Sequence, residues 1–213
     1  MPPARRLLAF AAALLTLKTT AAVVAGYGDY WPADFASDFL RGREGHFRGA
    51  YRAAFYVHIA SAPAALLAGL ALMSRPLRTR RPDVHGRLGR MQAAAVIAVV
   101  APSGLVMSTH AEGGPVGQAG FAALSLLTGA TAALGWRAAR RRRFASHGLW
   151  MARCFALLCS AVVTRVIGGL TEVTGWPWPY AATAWLSWLL PLAALEAARL
   201  AYRRPRARSG GTR

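Results

Sequence analysis

Acidic residues are scarce in this sequence, and cysteine is nearly absent. Eight Asp and Glu stand against 26 Lys and Arg, which gives a formal net charge of +18 over 213 residues. The two cysteines, Cys154 and Cys159, share one apolar run. Five positions apart on a helix they face different directions and do not bridge readily, so they read as small buried hydrophobes. There is no Walker loop, no dinucleotide fingerprint, no zinc-type cysteine pairing, no G-x-S-x-G element and no convincing repeat. Nucleotide-driven, zinc-finger and serine-hydrolase chemistries therefore have no footing. The amphipathic patterning of a soluble basic domain is missing as well. The arginines sit in short clusters between long apolar runs, so the charge does not mark a nucleic-acid partner.

What is present is apolar length. The chain is 55% hydrophobic, and its apolar runs approach or exceed the ~20 residues that cross a bilayer. Six spans are predicted, over residues 7–25, 51–73, 91–109, 119–136, 148–170 and 180–202. The fold class expected is all-α, a polytopic transmembrane helical bundle forming one membrane-embedded domain over residues 1–202. A basic tail follows over residues 203–213. Pro102 and Pro191 fall inside spans, where neighbouring helices can satisfy the freed carbonyls. Stretches rich in Ala, Gly, Ser and Thr suit close helix packing.

Arginine placement predicts orientation. Arg5 and Arg6, the cluster from Arg75 to Arg90, the run Arg137 to Arg143, and Arg203, Arg204, Arg206, Arg208 and Arg213 all fall on one side if the spans alternate. The positive-inside rule makes that side cytoplasmic, so both termini are expected in the cytoplasm, the protein in a bacterial inner membrane, and the basic loops against anionic lipid head groups. Trp31, Tyr51, Tyr56, Trp176, Trp178 and Tyr180 form the aromatic belt near the other face. Arg5-Arg6, an apolar core and "VVAG" also resemble a secretory signal cut after Ala25, although Lys18 is awkward in either role.

Ionisable groups at membrane depth are functional candidates by default. His147 and Arg165 are eighteen residues apart. At about 100° per residue that returns to one helical face, ~27 Å away along the axis. Met151, Cys154, Leu158 and Ala161 share the stripe. His85 and His110 flank the third span and fall nearly on one face, ~37 Å apart, if Gly86, Gly89 and Pro102 do not break the register. His58 lies about two turns, ~10 Å, inside the second span.

Two polar layers result. The inner one holds His85 and His147, with Arg87, Arg90 and Arg153 near. The outer one holds His58, His110 and Arg165, with Glu112 and Glu172 near. A b-type haem needs two imidazoles from facing helices, and nearby arginines pair with its propionates. His85 and His147 are the candidate iron ligands, and Arg153 and Arg165 further cofactor contacts. Interfacial helix ends also carry histidines, Arg153 can snorkel, and Arg165 can be pinned by Glu172 or by a carbonyl. The same outer set can hold a quinone head group, a small anionic solute or a proton path. "RPLRTRRPDVHGRLGR" can hold lipid head groups in a non-catalytic assembly protein.

The segments "YVHIASAPAALLAGLALM", "RPDVHGRLGRM", "MSTHAEGG" and "HGLWMARCFALLCSAVVTRVI" resemble a family of predicted bacterial membrane proteins, the domain of unknown function 2306 family. The carrying elements are H-x-x-x-G-R (His85, Gly89, Arg90) and H-x-x-W-M-x-R (His147, Trp150, Met151, Arg153), with Arg165 closing the second helix. The resemblance covers residues 58–165 and implies a polytopic helical bundle without assigning an activity. A looser likeness is to two-haem transmembrane b-type cytochromes. His85 and His147 suit one of their two pairs. The other pair departs from the pattern, because the fourth span has no histidine. The function expected is redox-type, binding haem or quinone between helices. The alternatives are transport of a small solute and lipid-linked assembly.

Overall fold

The computed structural model describes residues 3–37, 39–176 and 179–203. Trp178 of the expected aromatic belt and the tail arginines Arg204, Arg206, Arg208 and Arg213 lie outside these residues. Among the described residues the secondary structure is helical, with one isolated bridge between Tyr30 and Ala33. The helices are α1 (Pro3–Ala25), α2 (Gly49–Met73), α3 (Arg75–Arg80), α4 (Pro82–Ala95), α5 (Ala101–Ser108), α6 (Gly114–Arg140), α7 (Phe144–Leu158), α8 (Ser160–Thr174) and α9 (Tyr180–Arg203). Joined across short irregularities they make six segments long and apolar enough to cross a membrane.

Segment limits differ from the hydropathy reading in an informative way. The third segment begins at Pro82, and the fifth runs from Phe144 to Thr174. Arg87, Arg90 and the histidines dilute the apolar signal there, yet the chain is already helical. Pro82 sits at the first helical position, where its missing N–H costs nothing. His85 is therefore a residue within a helix.

Two irregularities alter the register that the sequence implied. Residues Val96–Val100 form a π-turn immediately before Pro102, which has no N–H to return to the preceding turn. The Ser103 hydroxyl donates to the Val99 carbonyl at 2.6 Å. The His85-to-His110 face is broken at this point. Between α7 and α8 the chain pauses at Cys159, whose carbonyl receives the amides of both Val162 and Val163. The stripe below this pause holds as expected. Cys154 is in the core with Ala65, Val96, Val100 and Ala132, and Met151 and Leu158 pack against it. Both thiols are free.

Close approach of α6 to its neighbours organises the bundle. Its buried face is small or hydroxylated: Gly117, Gly120, Ser125, Thr128, Thr131, Ala132, Gly135 and Ala138. A Cβ on Gly135 would stand 2.5 Å from Met151 Sδ of α7, and one on Gly120 3.1 Å from the Trp185 ring of α9. Such contacts replace the hydrophobic drive that lipid cannot supply between helices. Thr128 and Thr131 return their hydroxyls to carbonyls four residues back, so they add no unsatisfied group. In α2, Pro63 leaves the Ile59 carbonyl without its helical donor. The Tyr27 hydroxyl, arriving from the end of α1, donates to that carbonyl at 2.7 Å.

A second apolar cluster lies at the end of the bundle carrying residues 26–48. Leu40, Phe47, Tyr51 and Phe55 are buried there, with Tyr30, Phe35 and Phe39 against them. This folded connection caps the bundle at the end opposite the arginine-rich turns.

Candidate ligand cavity

Between α1, α2, α5, α6, α8 and the start of α9 lies a cavity of about 720 Å³. That is within the range of small-molecule sites. Its walls are mostly apolar, from Phe55, Leu66, Val100, Met107, Leu124 and Leu157. Polar groups enter at a few positions. His58 reaches it from α2, Arg165 from α8, Ser125 and Thr128 from α6, and Tyr180 from α9. Tyr27, Asp29, Tyr30, Arg43 and Tyr51 complete its mouth at the folded-connection end.

His58 is held rather than free. Its Nδ1 lies 3.0 Å from Ser103 Oγ. That hydroxyl spends its single proton on backbone carbonyls, so it accepts from the ring, and His58 carries its proton on Nδ1. Nε2 is left as an acceptor. Gly104 makes room for the imidazole: a Cβ there would stand 3.2 Å from His58 Cε1 and 2.8 Å from Ser125 Oγ.

Arg165 differs from the expectation that Glu172 pairs with it. Its Nη1 donates to the Ala161 carbonyl at 3.2 Å. Among the described residues no carboxylate forms an ion pair with it. Glu172 is exposed. The groups within electrostatic reach of the guanidinium are the phenols of Tyr27, Tyr30 and Tyr180. Arg165 is an exposed residue at membrane depth that lines the cavity at one side, faces neutral phenols, and leaves most of its N–H donors unspent.

The other expected site residues separate into different places. His110 does not join His58. Its Nδ1 lies 2.8 Å from Thr109 Oγ1, and its ring stacks on His46 with centroids 4.2 Å apart and planes 16° from parallel. Tyr51 meets both rings edge-on. Beside them Arg43, buried, pairs with Glu112 at 3.0 Å. Burial lowers the His46 imidazole below its ordinary pKa, and His110 and Arg43 push the same way against Glu44. At the opposite end His147 Nδ1 lies 2.9 Å from the Gly135 carbonyl, which fixes its ring. His85 Nδ1 is buried without a hydrogen-bond partner. His147 and Arg78 lie within electrostatic reach of His85. Neither His85 nor His147 lines the large cavity. Arg153 donates through Nε to Glu196 Oε1 at 2.7 Å and lies over the Trp150 ring.

Several of these participants escaped the sequence reading. Glu196 was visible in principle, being an acid inside the sixth span. His46 was not, because nothing in "REGHFRG" tells that the connection folds back. Tyr27 became significant only once Pro63 and α1 were placed together.

Residues 55–197 match the family model described as predicted membrane protein (DUF2306). The chain belongs to this family. The match spans all the elements that carried the resemblance, from His58 to Arg165. The family description adds membrane location and no chemistry. No curated protein and no solved structure matches the chain.

Proposed function

We propose that this DUF2306 protein binds a lipid-soluble quinone-type molecule in the cavity, with Arg165 donating to a head-group oxygen and the His58 Nε2 acceptor meeting a hydroxyl of the reduced, quinol form. One observation carries the reading: Arg165 lines a cavity of about 720 Å³ and, among the described residues, forms no ion pair with a carboxylate. An unpaired guanidinium in such surroundings is costly unless a ligand oxygen meets it. Quinone carbonyls accept hydrogen bonds, the aromatic ring is matched by Phe55 and the tyrosines at the mouth, and an isoprenoid tail is at home in the bilayer.

The test is retention of quinone by purified protein. Wild type and Arg165→Ala are incubated with short-chain ubiquinone or menaquinone analogues, and bound quinone is extracted and quantified. Loss of a charged hydrogen bond of about 1.5–3 kcal/mol lowers affinity roughly tenfold to a hundredfold. Equal affinity in the variant overturns the reading.

A haem at the opposite end is the second reading, supported by the anchored ring of His147 and the unpartnered Nδ1 of His85. These two imidazoles would hold the iron, and the group would supply one-electron transfer. The absence of Soret and α bands in dithionite-reduced protein expressed with ample haem sinks it. The arginine-rich end is assigned to the cytoplasm of a bacterial inner membrane, supported by the positive-inside rule. A reporter fused at Gly114 that reads cytoplasmic reverses that assignment.

A further inference from the structure

A different cluster lies toward the arginine-rich end, on the faces of α7 and α9. Glu196 accepts from two arginines at once: Arg153 Nε at 2.7 Å and Arg199 Nη1 at 2.5 Å. One carboxylate between two guanidinia leaves a net charge of +1. Two guanidinia carry ten N–H donors, of which the carboxylate takes two. Among the described residues no other acceptor serves either arginine. Both arginine side chains are only 25% exposed, so water does not freely replace the missing partners.

The surroundings are those of a lipid. A groove of about 250 Å³ has Leu127, Leu157, Leu192 and Trp150 as apolar walls, with the Thr131 hydroxyl and with Arg153 and Glu196 of the cluster in its lining; Arg199 is joined to it through Glu196. Arg153 lies 4.7 Å over the Trp150 ring, which orients its guanidinium. Arg199 is two residues from the end of its span at Ala201, and Glu196 is five. That puts Arg199 and Glu196 ~3–8 Å from the span's end along the helix axis, while Arg153 lies nine residues, ~14 Å, inside the fifth span from Phe144, a depth from which a long side chain snorkels toward the head groups.

We infer that this groove binds the phosphodiester of an anionic membrane lipid, its phosphate against Arg153 and Arg199 and an acyl chain along the leucine wall. Glu196 has two effects. It holds both guanidinia in place, and it trims the site to a single positive charge, which suits a monoanionic phosphodiester better than a dianionic phosphate. A zwitterionic lipid brings its own ammonium toward the cluster and gains less. Free phosphate offers the same oxygens without the chain that fills the groove.

Full-length protein in neutral detergent is titrated with phosphatidylglycerol, phosphatidylcholine or inorganic phosphate. Bound lipid is counted by native mass spectrometry, and thermal stability is read in parallel. The expected result is phosphatidylglycerol retained at least tenfold more tightly than phosphatidylcholine, with Arg199→Ala bringing the two level. Arg153→Ala has the same effect; if it does not fold, Arg199→Gln replaces it, because Arg199 sits near a helix end and, among the described residues, pairs with Glu196 alone. Glu196→Gln keeps phosphatidylglycerol and gains binding of the dianionic lipid phosphatidic acid. Arg165→Ala leaves all of this unchanged, which separates the site from the quinone cavity. Equal retention of the two lipids in wild type, unaltered phosphatidylglycerol retention in Arg199→Ala, or protection by millimolar inorganic phosphate equal to that by lipid overturns the inference.

Discussion

Acid should loosen the folded connection over residues 30–48, and the stacked imidazoles are the reason. His46 and His110 lie with ring centroids 4.2 Å apart. Neutral rings stack at that distance, whereas two imidazolium charges repel. The repulsion is about 1 kcal/mol at the dielectric of water and about 4 kcal/mol at an effective dielectric of 20. His110 is open to solvent and Glu44 and Glu112 are near, so a value near the lower end, ~1–1.5 kcal/mol, applies. The sign follows from linkage. Burial, His110 and Arg43 hold the folded-state pKa of His46 below its ordinary value, so the opened connection binds more protons than the closed one. Stability of the contact is then full above about pH 6.5 and declines as pH falls from there through the lowered value. Hydrogen exchange of residues 30–48 in nanodiscs, corrected for intrinsic rates, reads it directly. Protection at pH 5 should be roughly five- to tenfold below that at pH 7.5, and His46→Gln should remove the difference. Equal protection at both pH values, or a pH dependence that survives His46→Gln, refutes the reasoning.

Two further substitutions test how the bundle is held. Tyr27→Phe strips the donor from the Ile59 carbonyl that Pro63 leaves open; a loss of about 1–3 kcal/mol, read as a lower midpoint of thermal unfolding in detergent and faster exchange at the end of α1, is expected, and an unchanged midpoint counts against that role. Gly135→Val drives a side chain into Met151, where even a Cβ would stand 2.5 Å from Sδ; it should cost ~2–3 kcal/mol and loosen His147, whereas the same change at exposed Gly168, with nothing within 4 Å of a Cβ, should be near neutral.

The candidate site was legible in part. His58 and Arg165 stood out because each places a polar head where the bilayer offers no partner, and both line the cavity. His110 misled because a residue at a span's end was treated as part of the helix face. In the structure it belongs to a contact between two connections, with His46. Arg165 and Glu172 share a helix, and spacing along that helix suggested a pair. The pair is not formed, and Arg165 donates to the Ala161 carbonyl in its own preceding turn.

The sequence by itself determined the class: six apolar lengths, separated by arginine clusters, in a solvent where each segment must satisfy its own backbone. It also determined which residues of the fifth span share one stripe below Cys159, since helical period sets that grouping, and the packed bundle turns the stripe at Cys154 inward. The tertiary structure decided which polar groups meet. The π-turn before Pro102, the pause at Cys159 and the path of residues 26–48 each rotate or translate side chains by amounts that local periodicity does not encode. The pairing of Arg153 with Glu196 joins residues 43 positions apart on different helices. The surroundings of Arg165 are likewise a property of the assembled bundle, because the phenols of Tyr27, Tyr30 and Tyr180 reach it from other segments and no described carboxylate pairs with it.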